Sequence, residues 1–479
     1  MLFTIIRKEL LESIFSFRFP LFLLVGIVLL PMGMYVNELN YSKRLSDYNE
    51  QVRLQNKTLS SSQMWDVLSG TVPLKGFRQP APLSAFASGL DNAMPTFYEF
   101  KQTGYVQGEV PSGERSVLTE MGQLDFTFIV QMVISLVVLM FGADVISGEK
   151  ELGTLRGMLS NSVPRDTVLL GKIIGGYAAI WVPFTVSFLV GLVVLSFTSF
   201  PFGDGEVWTR IILIFISSSL FILVYFSIGV MISTSTSRTR TSLVAILVVW
   251  AFFQLIVPKA SGMMAKLIYP IRTETVVSME KSLAANTIDN EKSEILGKKY
   301  DELFGAGSST GHVDNSRDDL WQSYREEVEQ KYNDMKSAQL NAIDDEFRRE
   351  RAVQHTIETD LSLVSPGAVF DRLITDICGT GETDKLKYVE AVDAHQQTLD
   401  KQLFSTVKQS SLTITSAATG SSVSVSHPVN LNSLPEFSVS KASLTDIFSR
   451  NLNGLIMFAF WLIAPFAIAY VRFLKYDVR

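Results

Sequence analysis

Cysteine is almost missing from this chain of 479 residues: Cys378 stands alone, so no internal disulfide can staple it and a disulfide-framed secreted scaffold is excluded. Excess positive charge is missing too. Lys plus Arg number 42 against 48 Asp plus Glu, a net charge of −6, which leaves no basic footprint for nucleic acid. Histidine is scarce, and His312, His355, His395 and His427 form no His-Glu-x-x-His pattern that would set two imidazoles around zinc. No Gly-x-Ser-x-Gly elbow accompanies the apolar runs, and Cys378 has no activating neighbour, so no catalytic constellation and no metal site is expected. A phosphate loop is lacking as well: Gly171 and Lys172 are followed by Ile173 where Ser or Thr would hold magnesium, and Asp166 stands where the leading glycine belongs. The chain should therefore bind no cofactor directly, and any ATP and magnesium would belong to another subunit.

What is present is apolar surface, 47 % of residues, collected in six windows without a single charge. They run from Phe19 to Asn37, Phe126 to Ala143, Ile173 to Gly203, Ile211 to Ser237, Thr241 to Pro258 and Asn451 to Val471. Each reaches about the 18 residues that a helix needs to cross a bilayer. The expected fold is all-α and polytopic, with six transmembrane helices at 19–37, 126–146, 173–198, 211–235, 241–258 and 451–471. Arg7, Lys8, Arg18, Lys150, Arg156, Arg165, Lys172, Arg238, Arg240, Arg472 and Lys475 flank one set of ends, whereas Thr198 to Thr209 carries Asp204 and Glu206 with no Lys or Arg. The positive-inside rule then puts both termini, including the tail 472–479, in the cytoplasm. Ionisable groups inside spans usually mark a carrier's ion path, and their absence favours a machine driven from outside the membrane.

Residues 38–125 and 259–450 are too long for connecting loops and are expected to be two extracytoplasmic, mainly helical insertions with a small β element. The second holds 21 basic and 29 acidic residues and is acidic. Within it, Trp321, Tyr324, Val328, Tyr332, Met335, Ile343 and Phe347 recur at helical spacing, a stripe that closes the domain on itself or meets a partner helix or a second copy of the chain. Ala368 to Cys378 and Tyr388 to Phe404 read as helices broken at Gly379 to Gly381, and alternation from Leu412 to Val425 reads as a hairpin.

The most informative stretch runs from Asp144 to Lys172. A charged turn at Glu149, Lys150 and Glu151 leads into a short helix from Leu152 to Leu159, with Leu152, Leu155 and Leu159 on one face, before Pro164 restarts the chain. Glu149, Glu151, Gly153, Thr154 and Leu155, then Pro164 and Arg165, then Gly171 and Lys172 resemble the first inner loop of permease subunits of type-two ABC exporters. The segment Leu2 to Phe17, with Phe3, Ile6, Leu10, Ile14 and Phe17 on one stripe, resembles that family's interfacial helix, here placed at 1–18. The long insertions, with Leu363 to Pro366 and Tyr476 to Arg479, resemble the subgroup with enlarged outer domains.

This resemblance implies that residues 147–172 form a coupling helix seated in a separate ABC ATP-binding subunit. It also implies a second permease copy, as a homodimer or similar heterodimer, and location in the bacterial inner membrane. Lipid surrounds the spans, and an extracytoplasmic protein is a further partner if the outer domains transmit force rather than expel a cargo. Cargo identity does not carry over. The alternative is a membrane sensor or assembly scaffold without transport, which predicts tolerance of charge reversal at Glu149 and Glu151.

Overall fold

The computed structural model describes residues 2–61, 67, 72–101, 104–108, 124–160, 164–305, 315–404 and 435–475. Six helical runs are long and apolar enough to cross a membrane: Arg18–Ser61, Phe126–Leu152, Arg165–Ser196, Gly205–Ser235, Thr239–Ile268 and Leu452–Leu474. With one three-stranded sheet beside them, they give the all-α polytopic class expected. The hairpin expected from Leu412 to Val425, and the closing Tyr476 to Arg479, lie outside the described residues.

Two spans run further than their uncharged windows. Helix α1 (Leu2–Ile14) is followed by α2 (Arg18–Ser61), whose 44 residues extend about 66 Å, roughly twice a hydrocarbon core. The reason is local: between Asn37 and Ser61 the chain has no Gly or Pro to stop it, and only the charges marked the end of the apolar window. Span two begins at Asp125, whose side chain caps the first turn by accepting from Phe128 N–H, and passes through a π turn (Ile129–Ile134) into α3 (Ser135–Gly142). Short α4 (Ser147–Leu152) and α5 (Thr154–Ser160) follow, then α6 (Arg165–Ser196) and α7 (Gly205–Ser235). Helix α8 (Thr239–Ala251) continues through a second π turn (Phe252–Ile256) into α9 (Val257–Ile268). That turn loosens the backbone next to Pro258, which has no N–H to give, and so carries the helix past the expected end.

The two π turns meet. Gln131 Nε2 donates to Gln254 Oε1 at 3.1 Å, and Gln254 Nε2 donates to the Tyr225 hydroxyl at 2.6 Å, joining spans two, five and four through buried neutral groups. Such polar groups must find partners within the bundle, because lipid supplies none.

The chain divides into two compact units, residues Lys259–Ser362 and all the rest. The segment expected as one second insertion is thereby split at Ser362. Lys259–Ser362 is built on α10 (Glu274–Phe304) and α11 (Asn315–Ser362), an antiparallel pair pinned by Lys336–Asp289 and Lys281–Asp344 ion pairs, both 2.6 Å. Tyr324, Val328 and Tyr332 of the expected stripe pack on Ile288 and Ile295, so this face closes on the unit itself.

The remaining segment joins the spans because α12 (Pro366–Cys378) is apolar on the face that meets α7, with Phe370 stacked on Phe221 at 4.2 Å. Gly379, at φ +75°, ends α12 in the left-handed conformation that suits glycine, and α13 (Glu382–Leu399) follows. Against α13 lies the antiparallel sheet β1 (Leu74–Phe77), β2 (Phe97–Lys101), β3 (Gly104–Gln107), in that order. The small β element expected from the sequence is thus present, but between Leu74 and Gln107, whereas the sequence pointed to Leu412 to Val425, outside the described residues. Helix α14 (Leu444–Arg450), opened by a Ser443–Asp446 capping box, leads into α15 (Leu452–Leu474), the last span.

His395 of α13 sits with its ring 4.7 Å from Phe100 and 5.3 Å from Phe437, and burial holds its pKa below the ordinary 6.5. The unfolded chain therefore takes up this proton at a higher pH than the folded one, so packing of the sheet on α13 should weaken as pH falls through 6.5. Hydrogen exchange of the β2 amides read from neutral to acid pH should show protection lost on that slope. His395→Phe should flatten it, and an unchanged slope would assign the effect elsewhere.

Candidate coupling site

The nine residues singled out by the sequence fall between α4 and the first turns of α6. Helix α4 has only six residues, but its charged turn faces four different helices. Glu149 Oε1 lies 2.8 Å from Lys172 Nζ of α6, and the same ammonium meets Glu9 Oε1 of α1 at 2.8 Å. The Lys172 side chain is 1 % exposed. Lys150 Nζ donates to the carbonyls of Thr234 (2.6 Å) and Thr236 (3.0 Å), capping the end of α7 where the helix dipole is negative. Glu151 Oε2 accepts from Thr239 N–H at 2.9 Å, at the positive N-terminus of α8.

Neighbouring residues complete the attachment. Asp144 pairs with Arg18 of α2 at 2.7 Å, and the N–H groups of Ile146 and Ser147 both donate to Ser233 Oγ of α7. Ser242 Oγ of α8 donates to Ala143 O. Pro164 precedes α6 as its N-cap residue, and Arg165 Nη1 donates to Leu474 O at the end of α15, at 2.7 Å. Residues 144–172 thus touch one end of every span. Gly171 and Gly175 bring α1 against α6: a Cβ on Gly171 would meet Ile5 Cγ2 at 2.7 Å, and one on Gly175 would meet Ile6 O at 2.9 Å.

Between α4 and α5 the expected single helix is interrupted. Gly153 adopts φ +76°, a left-handed turn that shifts the helical phase, so Leu152 and Leu155 do not share a face. Leu155 is fully buried in the core, whereas Leu152 is 78 % exposed beside the exposed Gly153 and Thr154; the side chain of Leu159 lies outside the described residues. Thr154 Oγ1 reaches Glu149 O only at 3.5 Å, the limit of a hydrogen bond.

The stripe expected on α1 also divides. Ile6 and Leu10 are partly covered, while Phe3, Ile14 and Phe17 are exposed. Sequence reasoning missed Glu9, the acid that shares Lys172, because an acid on the polar side of an amphipathic helix reads as a solvated residue. Its one signal is that Glu9 falls one turn from Ile5 and Ile6, the residues that pack against the α6 glycines.

No curated protein matches the chain. The family described as ABC-2 family transporter protein matches it over residues 3–478, nearly its whole length. The chain belongs to the ABC-2 transporter family, and is a multi-pass membrane protein and the permease subunit of an ABC transporter.

Proposed function

We propose that this permease is driven by ATP hydrolysis in a separate ATP-binding subunit, which holds the nucleotide and magnesium and grips the loop around Leu152. The observation that carries this reading is the attachment of residues 144–172 to an end of every span, with Leu152 left exposed at the tip. A push on that tip reaches α1 and α6 through Glu149, α7 through Lys150, α8 through Glu151 and α15 through Arg165. Rigid packed elements pass such displacement on rather than absorbing it. The basic flanks of these ends support a cytoplasmic location for the loop and both termini, in a bacterial inner membrane.

The remaining segments would then face outward and move with the spans, expelling a cargo or passing force to an outer-face protein. Only 17 % of the apolar window of span five and 22 % of that of span six are buried within the chain, which leaves faces for lipid and for a second permease copy.

Leu152→Asp is the direct test. Expressed with its neighbouring genes, the wild-type chain should bring an ATPase through purification, and the variant should lose it, with thermal unfolding unchanged because Leu152 packs on little of its own chain. An ATPase that binds Leu152→Asp and Glu149→Arg as it binds wild type would overturn the assignment of this loop and favour a scaffold that does not transport.

A further inference from the structure

A cavity of about 400 Å³ lies far along the chain from the loop, where the end of β1, the start of α7, the α12–α13 turn and the extended stretch 435–441 converge. That volume falls within the range of small-ligand sites. Four aromatic rings line it, Tyr48, Phe77, Tyr388 and Phe437, together with the carboxylates of Asp384 and Glu436.

The two guanidinium groups in its wall are ion-paired, although Arg78 Nε is buried without a partner. Arg78 binds Asp91 through Nη1 and donates from Nη2 to Asp91 O at 2.8 Å. Arg210 is held by Glu206 at 2.7 Å and by the carbonyls of Ile377 and Ala442 at 2.9 and 2.6 Å. Asp204 and Lys441, both exposed, also line it.

Besides Arg78 Nε, two buried polar atoms of the lining are not committed. Asp384 accepts the Ala442 N–H on Oδ1 at 3.3 Å, but its Oδ2 is buried with no partner. A Cβ on Gly379, which also lines the cavity, would stand 3.8 Å from that free oxygen, so it faces the glycine wall. One helical turn on, Tyr388 is 2 % exposed and its hydroxyl has no partner either. Native proteins rarely leave such groups unsatisfied, and a carboxylate oxygen without a donor is the costlier of the two.

We propose that this cavity binds an organic ammonium group, with Asp384 as its counter-ion, the Tyr388 hydroxyl bonded to a polar substituent beside it, and the aromatic rings enclosing the cation. Ring faces attract cations, and rings with a carboxylate among them favour alkylammonium over a neutral body of the same shape. Burial raises the pKa of Asp384, and a bound cation would relieve that cost. The ammonium can come from a free amine or from a lipid headgroup. This inference does not rest on the coupling role of the loop, and its test reads binding without any ATPase.

The test uses the full chain in a non-ionic detergent, with thermal unfolding and calorimetry against choline and ethanolamine, and 3,3-dimethylbutan-1-ol as the uncharged isostere of choline. At least one amine should raise the unfolding temperature where the isostere does not. Asp384→Asn should weaken that amine about tenfold or more, and Tyr388→Phe should weaken it less. Tighter binding of phosphocholine or phosphoethanolamine than of the parent amine would identify a headgroup as the source; equal or weaker binding would identify a free amine. Should Asp384→Asn fail to fold, Glu436→Gln on the exposed wall must lower the affinity. No response to either amine, equal response to the isostere, or affinity unchanged in the folded variants would overturn the proposal.

Discussion

Lys172→Met will lower the stability of the folded chain by about 3–5 kcal/mol, the cost of removing one partner from a buried ion pair. The variant keeps most of the apolar stem but leaves Glu9 and Glu149, each within 2.8 Å of the lost ammonium, facing one another in a pocket where Lys172 is 1 % exposed. Glu149 Oε2 is already buried without a partner, so no spare donor waits inside. Lys8 is the nearest other cation, 3.7 Å from Glu149, but its side chain is 53 % exposed and water screens most of what it offers. With the charge gone, α1 should part from α6 and the loop should lose its order, and under the coupling role proposed above it should lose the ATPase subunit as well. The triple variant Glu9→Gln, Glu149→Gln, Lys172→Met removes the unpaired charges together and should recover most of the unfolding temperature, because a neutral set of similar volume carries no desolvation cost of ions. A triple variant no more stable than Lys172→Met would show that the length of the lysine stem, not its charge, holds α1 in place.

How far the sequence reveals this arrangement depends on the range of the forces involved. The six spans are legible because bilayer crossing imposes a length and a lack of charge on a continuous run, a condition that needs no knowledge of the rest of the chain. Their ends are less so: α2 continues to Ser61 and α9 beyond Pro258, since helices stop for capping or backbone reasons while hydropathy stops at a charge. The break between α12 and α13 is legible in Gly379, whose φ of +75° suits glycine. The sheet is not. Its strands have four or five residues, and Tyr98 and Phe100 find Tyr388 and His395 nearly three hundred positions later.

The loop shows the same division. Its residues announce themselves through their spacing, yet nothing in that spacing says that Glu149 turns inward while Leu152, three positions on, turns out. That outcome depends on Glu9, 163 positions from Lys172, and on a left-handed turn at Gly153 that resets the periodicity the sequence reading had followed through to Leu159. Residues recognised as a group thus divide into those that hold the loop and those that present it.

The contact between spans two and four leads to the second large effect, produced by a single methyl group. A Cβ on Gly229 of α7 would stand 3.0 Å from both Gly142 Cα and Leu139 O, and a Cβ on Gly142 would stand 2.9 Å from Gly229 Cα and 3.0 Å from Phe226 O. Backbone faces backbone on both sides, so no side chain can rotate away and the helices themselves must separate. In a bilayer, where the hydrophobic effect does not press helices together, such close approach of small residues supplies much of the association. Separation here would also stretch the Gln254–Tyr225 link and the Ser233 bonds to Ile146 and Ser147, which join the same helices to the loop. Gly229→Ala should therefore cost about 1–3 kcal/mol and Gly229→Val more, read as a lower unfolding temperature and, under the function proposed above, weaker coupling of ATP hydrolysis. Gly203→Ala, with open space around it, should change neither. The combination Gly142→Ala, Gly229→Ala provides the sharper check. Either methyl alone forces the helices apart and makes room for the other, so the pair should cost clearly less than the two single costs added. Additive losses would mean that each glycine serves a separate contact, and no loss at all would mean that the two backbones do not touch.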